Sequence, residues 1–266
     1  MPRHHVFELG DQPWVPPRFK HYLTDVLSIA GAVGERLGDA LCLEPQLDLL
    51  AEVLGEHGQI VDLCSGAAAP PMALRRRLAA RGVSADVVLT DLHPNLDAFR
   101  RAARAEGCTF QAASVDAADV PASLTGLRTI FNAFHHFPPV LARRILKDAH
   151  DSRQAILIVE IPHRSLPTAL SLGAFSLLTL ALTPLIRPVS MERLLWTYIL
   201  PVLPMMVGFD GIMSCIRAYD TEELTALTRG LDADYTWQIS RTRGAGALLA
   251  ATVLLGQPTP RGDNAG

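Results

Sequence analysis

Residues 60–70 read Ile-Val-Asp-Leu-Cys-Ser-Gly-Ala-Ala-Ala-Pro: an apolar run that closes on Asp62, a turn that carries Gly66, and a proline that opens a stretch of helical period. Three later runs follow the same scheme, since Asp91 closes VVLTD, Asp116 follows QAASV and Asn132 ends TIFN. Strand patterns cover 60–64, 87–91, 109–113, 128–132 and 155–160, and helical patterns cover 71–81, 95–106 and 138–149 between them. This alternation predicts parallel βαβ units, a doubly wound α/β sheet with helices on both faces. An open parallel sheet places its ligand crevice at the C-terminal strand ends. Four polar residues at four such ends therefore predict a bound nucleotide-like cofactor.

Each residue type suits one part of such a ligand. At Gly66 the missing Cβ lets the backbone approach closely, and the following helix turns its first N–H groups toward an anion. Asp91 is placed to accept two hydrogen bonds from a ribose. An acid after the second strand serves a dinucleotide too, but that reading needs GxGxxG, which this turn lacks. With Ala67, Ala68, Ala69 and Pro70 after the single glycine, the turn is expected to keep ordinary dihedrals beyond Gly66, with Pro71 as the first helical residue.

The order, with Asp91 29 positions after Asp62 and Asp116 25 further on, resembles the class I S-adenosylmethionine-dependent methyltransferases. The alanine-rich turn departs from that family's glycine-rich one. The resemblance implies S-adenosylmethionine as cofactor, held by Asp62, Cys64, Gly66, Asp91, Leu92, Asp116 and Asn132. Asp116 or Val115 would meet the adenine and Asn132 the methionine end. It also implies a closing antiparallel pair, matched here by the runs 235–241 and 247–255 around TRGAG.

Net charge is −3, with no basic face of the kind nucleic acid requires. The arginines at 75–77, 81, 100, 101 and 104 fall on helical patterns and read as solvated faces. Four dispersed cysteines form no metal-binding spacing and suggest reduced thiols. No metal is expected. The opening MPRHHVFELGDQPW has no apolar h-region and no cleavage signal, which points to the cytoplasm.

Residues 1–58 read as an arm and a helical cap, 59–256 as the methyltransferase domain, and 257–266 as a disordered tail. The domain is interrupted by an apolar helical insertion, 166–209. Its first 21 residues, 166–186, hold no charge, and neither do the 16 from 194 to 209. The first run is long enough to cross a bilayer, although Pro167, Pro184, Pro201 and Pro204 break or end helices there. This segment is expected to meet a membrane surface, to form a homodimer, or to roof the site as a buried lid.

His135, His136, Glu160 and His163 cluster after the fourth and fifth strands and are the candidate bases. Asp210, next to Gly211 where the insertion ends, is expected to orient an acceptor or to cap a helix, and Trp14, His21 and Tyr22 to line its pocket or staple the cap. The predicted activity is methyl transfer to a small apolar or lipid-like acceptor. The alternative is an inactive nucleotide-binding or membrane-associated scaffold.

Overall fold

Successive residues of a strand point to opposite faces of its sheet, and the apolar runs obey this rule. Ile60, Val87, Leu89 and Leu157 enter one core cluster, while Val61, Val88 and Ile158 enter the other. The structure, a computed structural model, describes residues 2–37, 42–55, 57–243 and 250–259. The strands are β1 (His57–Asp62), β2 (Ser84–Leu89), β3 (Thr109–Phe110), β4 (Leu127–Phe131), β5 (Ile156–Glu160), β6 (Tyr235–Thr242) and β7 (Ala251–Pro258). They form one sheet of order β3-β2-β1-β4-β5-β7-β6. The first five are parallel, and β7 is antiparallel to both β5 and β6.

The helices are α1 (Pro17–Leu37), α2 (Leu47–Leu54), α3 (Ala69–Ala79), α4 (Leu96–Glu106), α5 (Pro139–Asp151), α6 (Leu166–Leu182), α7 (Met191–Leu194), α8 (Val202–Arg217) and α9 (Thr221–Thr228). α2, α3 and α4 cover one face of the sheet through Leu47, Leu50, Leu74, Leu78 and Phe99. α5 and α9 cover the other through Ile145, Leu146 and Leu224. The arginines of α3 pair with acids, Arg77 with Glu35 and Glu44 and Arg76 with Glu106. α1, α6 and α8 form a separate layer, joined by Val26, Leu203 and Val207 and by Phe19 against Met206.

Several expected boundaries move. The run 109–113 gives only two strand residues, Thr109 and Phe110, after which the Gln111 N–H still donates to the Leu89 carbonyl at the end of β2, at 2.9 Å. The insertion continues past 209 to Arg217, since Pro204 sits in the first turn of α8, where its missing N–H costs nothing. Within the segment 1–58, α2 packs on the sheet rather than capping. Gln257 and Pro258, expected in the tail, pair with β6 as the last residues of β7. The rest of the expected tail from 260 and the expected turn at 244–249 lie outside the described residues.

Candidate active site

The chain winds from β1 through β2 to β3 and restarts at β4 on the other side of β1, so the C-terminal ends of β1 and β4 make the switch point. Hydrogen bonds weld this end of the sheet. The Asp62 carbonyl accepts from Ser65 Oγ at 3.0 Å and from Thr90 Oγ1 at 2.8 Å, and Ser65 Oγ accepts from the Thr90 N–H at 3.1 Å. The Asp62 carboxylate, 1% exposed, accepts from Thr129 Oγ1 at 2.6 Å. Burial, aided by the charge of Asp91 and only partly offset by Thr129 and Ser65, pushes its carboxyl up to about 7.

Asp91 is half-buried and bridges two strand ends, with Oδ2 accepting from the Gly66 N–H at 3.2 Å and Oδ1 from the His93 N–H at 2.9 Å. Burial raises its pKa. Each carboxylate oxygen has more than one acceptor site, so both remain available to a ligand. Gly66 takes φ +48°, and the space where a Cβ would stand is open. The expectation of ordinary dihedrals after Gly66 is corrected at Ala68, which takes φ +69°. Such a conformation costs an alanine about 1–2 kcal/mol, and the Ala68 N–H bond to the Ser65 carbonyl at 2.6 Å holds it. α3 therefore starts at Ala69, with Pro70 and Pro71 as its second and third residues rather than Pro71 as its first.

Beside Asp91, Leu92 is half exposed, Ser114 Oγ donates to its carbonyl at 2.6 Å, and the Val115 N–H donates to the Asp91 carbonyl at 3.0 Å. Asp116 is exposed and accepts from the Ala118 N–H at 2.8 Å, a turn within its own loop. Burial and then Asp91 push the Cys64 thiol well above the usual range. Asn132 takes φ +50° and clamps β4 to β5, its Oδ1 accepting from the Ile161 N–H at 2.9 Å.

The densest group of charges lies just past these ends, under the cap. Glu160 closes β5, its Oε1 accepting from the Phe134 N–H at 2.7 Å and its Oε2 lying 2.5 Å from His135 Nδ1. His135 Nε2 stands 3.5 Å from Glu8 Oε1, and His136 Nε2 stands 3.7 Å from Glu8 Oε2. His136 Nδ1 in turn lies 3.0 Å from Asp11 Oδ2. Arg217 completes the group, donating to Asp11 at 2.7 Å and to the His136 carbonyl at 3.0 Å. Burial alone would lower His135, but Glu160 and Glu8 outweigh it and lift the imidazole to about 9. Glu8 and Asp11 were not among the sequence candidates. Their one signal is a pair of acids spaced a helical turn apart in an otherwise proline-rich arm.

Asp210 on α8 explains how that arm arrives. Its two oxygens accept from the Leu9 N–H at 2.6 Å and the Gly10 N–H at 2.9 Å. Its partners are thus the arm's own main chain, and it delivers Glu8 to the histidines. His163 bonds Ser165 Oγ at 3.0 Å and Thr168 Oγ1 at 2.9 Å, at the start of α6. Tyr22 donates to Glu192 at 3.1 Å inside the cap, and Trp14 is 67% exposed. The structure therefore brings His135, His136 and Glu160 together and leaves His163, Tyr22 and Trp14 with other surroundings. An open groove of about 510 Å³ lies at the opposite, N-terminal edge of the strands, between Gly58, Gly126 and Gln154. It is remote from the switch point and holds none of these residues.

No family model and no curated protein sequence matches the chain. Among solved structures, OxaC matches with a TM-score of 0.52 and 16% identity over 83% of this chain and 47% of its own. OxaC in complex with SAH and oxaline matches at 0.50 and 18%, over 81% and 46%. The pyocyanin biosynthetic protein PhzM gives 0.47 and 14%, over 94% and 60%. The chain spans about half the length of OxaC. At such identities the likeness is one of fold, and it agrees with the topology: five parallel strands closed by an antiparallel β7 between β5 and β6 give this chain the Rossmann-like fold of the class I S-adenosylmethionine-dependent methyltransferases.

Proposed function

We propose that the chain is an S-adenosylmethionine-dependent methyltransferase acting on a small acceptor of apolar or lipid-like character. The observation that carries this reading is Asp91, a half-buried carboxylate past the end of β2 that is held beside the β1 turn by the main-chain N–H groups of Gly66 and His93. A carboxylate fixed in this way suits paired ribose hydroxyls through charge-assisted bonds. The open space at Gly66 leaves room for the amino-acid end. Leu92 and Val115 offer apolar surface for a base, and Asp62, Cys64, Asp116 and Asn132 complete the surround. That OxaC is described in complex with SAH supports the same ligand class.

S-adenosylmethionine supplies a methyl group bound to a sulfonium. The chain's own task is to hold the acceptor in line and to exclude water, and positioning alone provides much of such an effect. An acceptor that carries a proton needs a base. His135, His136 and Glu160 stand at the ends of β4 and β5 beside Asn132; His135, buried and lifted to about 9, is protonated at neutral pH, so the partly exposed His136 is the group that suits that work. Calorimetric titration with S-adenosylhomocysteine tests the reading. Wild type is expected to bind and Asp91→Ala to lose binding, whereas no binding by wild type, or equal binding by the variant, would overturn it.

The cap supports an acceptor drawn from a lipid surface. Leu170, Ala174, Leu177, Leu178 and Ala181 recur at i, i+4, i+7, i+8 and i+11 along α6 and are all exposed. A water-facing helix carries polar residues on that side. The span 166–185 has a mean hydropathy of 1.6 and only 22% of its apolar window is buried. Exposed Ile199 and Met205 extend the patch, with Tyr198 among them as an aromatic of the kind that favours a membrane interface.

A further inference from the structure

We infer that Glu8, His135 and His136 form a binding site for one divalent transition-metal ion of the zinc class. Both imidazoles are arranged as metal ligands are. A metal-bound histidine usually gives its second ring nitrogen to a carboxylate, which fixes the ring and its tautomer. Here Nδ1 of His135 faces Glu160 at 2.5 Å and Nδ1 of His136 faces Asp11 at 3.0 Å, so that each Nε2 is the free end and each approaches a different oxygen of Glu8. The His135 side chain is 3% exposed, and its Nε2 has no hydrogen-bond partner. Burying such a nitrogen without a partner is costly.

The spacing is within reach of one ion. Ligand atoms on a tetrahedral ion with bonds of about 2.0–2.1 Å lie roughly 3.3 Å apart; His135 Nε2 stands 3.5 Å from Glu8 Oε1 and His136 Nε2 3.7 Å from Oε2, and one ligand atom of each residue lies within 4.8 Å of the others, so an ion would draw the three slightly together. Two imidazole nitrogens and one carboxylate oxygen are the donors that zinc accepts, with a fourth position open to water or substrate oxygen. Charge agrees as well. Glu8 and Asp11 pair with the guanidinium of Arg217, at 3.4 and 2.7 Å, and Glu160 with His135, so three carboxylates converge on the two imidazoles and favour a cation there. His136 is about one-third exposed and gives the route of entry.

The inference does not rest on methyl transfer, and an occupied site would remove both Nε2 atoms from proton transfer. The full chain, without an affinity tag and stripped by chelator, is titrated with Zn2+ by calorimetry and with Co2+ by visible absorption. One equivalent is expected, with the intense colour of a tetrahedral site. His136→Gln and Glu8→Gln should abolish it, Asp11→Asn should weaken it by about 10–100-fold, and the double variant His4→Gln, His5→Gln, which removes the exposed terminal histidines, should keep it. Thermal unfolding with and without Zn2+ checks each variant's folding, and only chains carrying the site should gain stability from the ion. No stoichiometric binding by wild type, or binding kept by folded His136→Gln and lost with His4 and His5, would overturn the site.

Discussion

Asp62 carries an acid where the protein is driest, and its ionisation is therefore tied to folding. Its folded pKa of about 7 stands above the ordinary carboxylate value of about 3.9. Between those two values the unfolded chain releases a proton that the folded chain keeps. Stability from the protonated group is thus fully present below about pH 4 and is lost as pH rises to about 7, at up to roughly 1.4 kcal/mol per pKa unit. Asp62→Asn keeps an acceptor for Thr129 and removes the titration. Urea unfolding at stepped pH is expected to show wild type losing about 1–4 kcal/mol relative to the variant across that window. Parallel curves would mean that Asp62 ionises as easily folded as unfolded. The position of Asp62 at a strand end was legible in the sequence, but its protonation comes from burial among residues as distant as Thr129, 67 positions away, and no local pattern encodes that contact.

Among the helix pairs, α6 and α8 meet over the longest contact, and glycines set the approach. A Cβ on Gly211 would stand 3.1 Å from Leu172 Cβ and 3.2 Å from its carbonyl oxygen, and one on Gly208 would stand 3.1 Å from Ser176 Cβ. Neither helix can yield without moving its backbone. Gly211→Val is expected to cost about 1–3 kcal/mol or more through overpacking, read as a lower melting temperature, with sheet residues left in place. An unchanged melting temperature would show that the pair separates freely. The strands and the helices between them were legible because period-2 and period-3.6 patterns are local properties of the chain. Their ends were less so: Ala68 adopts a left-handed conformation because Ser65 holds its N–H, and α8 runs through Pro204 because a first turn tolerates proline. At the start of α9 a local pattern does suffice, since Asp220 and Glu223, three positions apart, form its reciprocal cap.

On the scale of the molecule, the polar crevice and the oily cap face belong to one body. If the cap rests on lipid, replacing exposed leucines should release it without harm to the sheet. The pair Leu170→Lys and Leu177→Lys is expected to abolish flotation with phospholipid vesicles while S-adenosylhomocysteine binding persists. Wild type that ignores vesicles and dimerises until the same leucines are changed would assign the face to a second copy. The positions of Gly66, Asp91 and Asn132 at the crevice were legible because these residues follow strands directly. The histidine cluster was half legible: His135, His136 and Glu160 announced themselves, whereas Glu8 reaches them through contacts far along the chain, with Asp210 gripping Leu9 201 residues earlier and Ser214 Oγ donating to Glu8 itself at 3.1 Å. That grip also sets an order in time. As the protein is synthesised, Glu8 and Asp11 emerge long before the helix that will anchor them, and contacts so distant along the chain close slowly. The strap therefore closes only once α8 has been made, and the charges it carries to the histidines arrive no earlier than that helix.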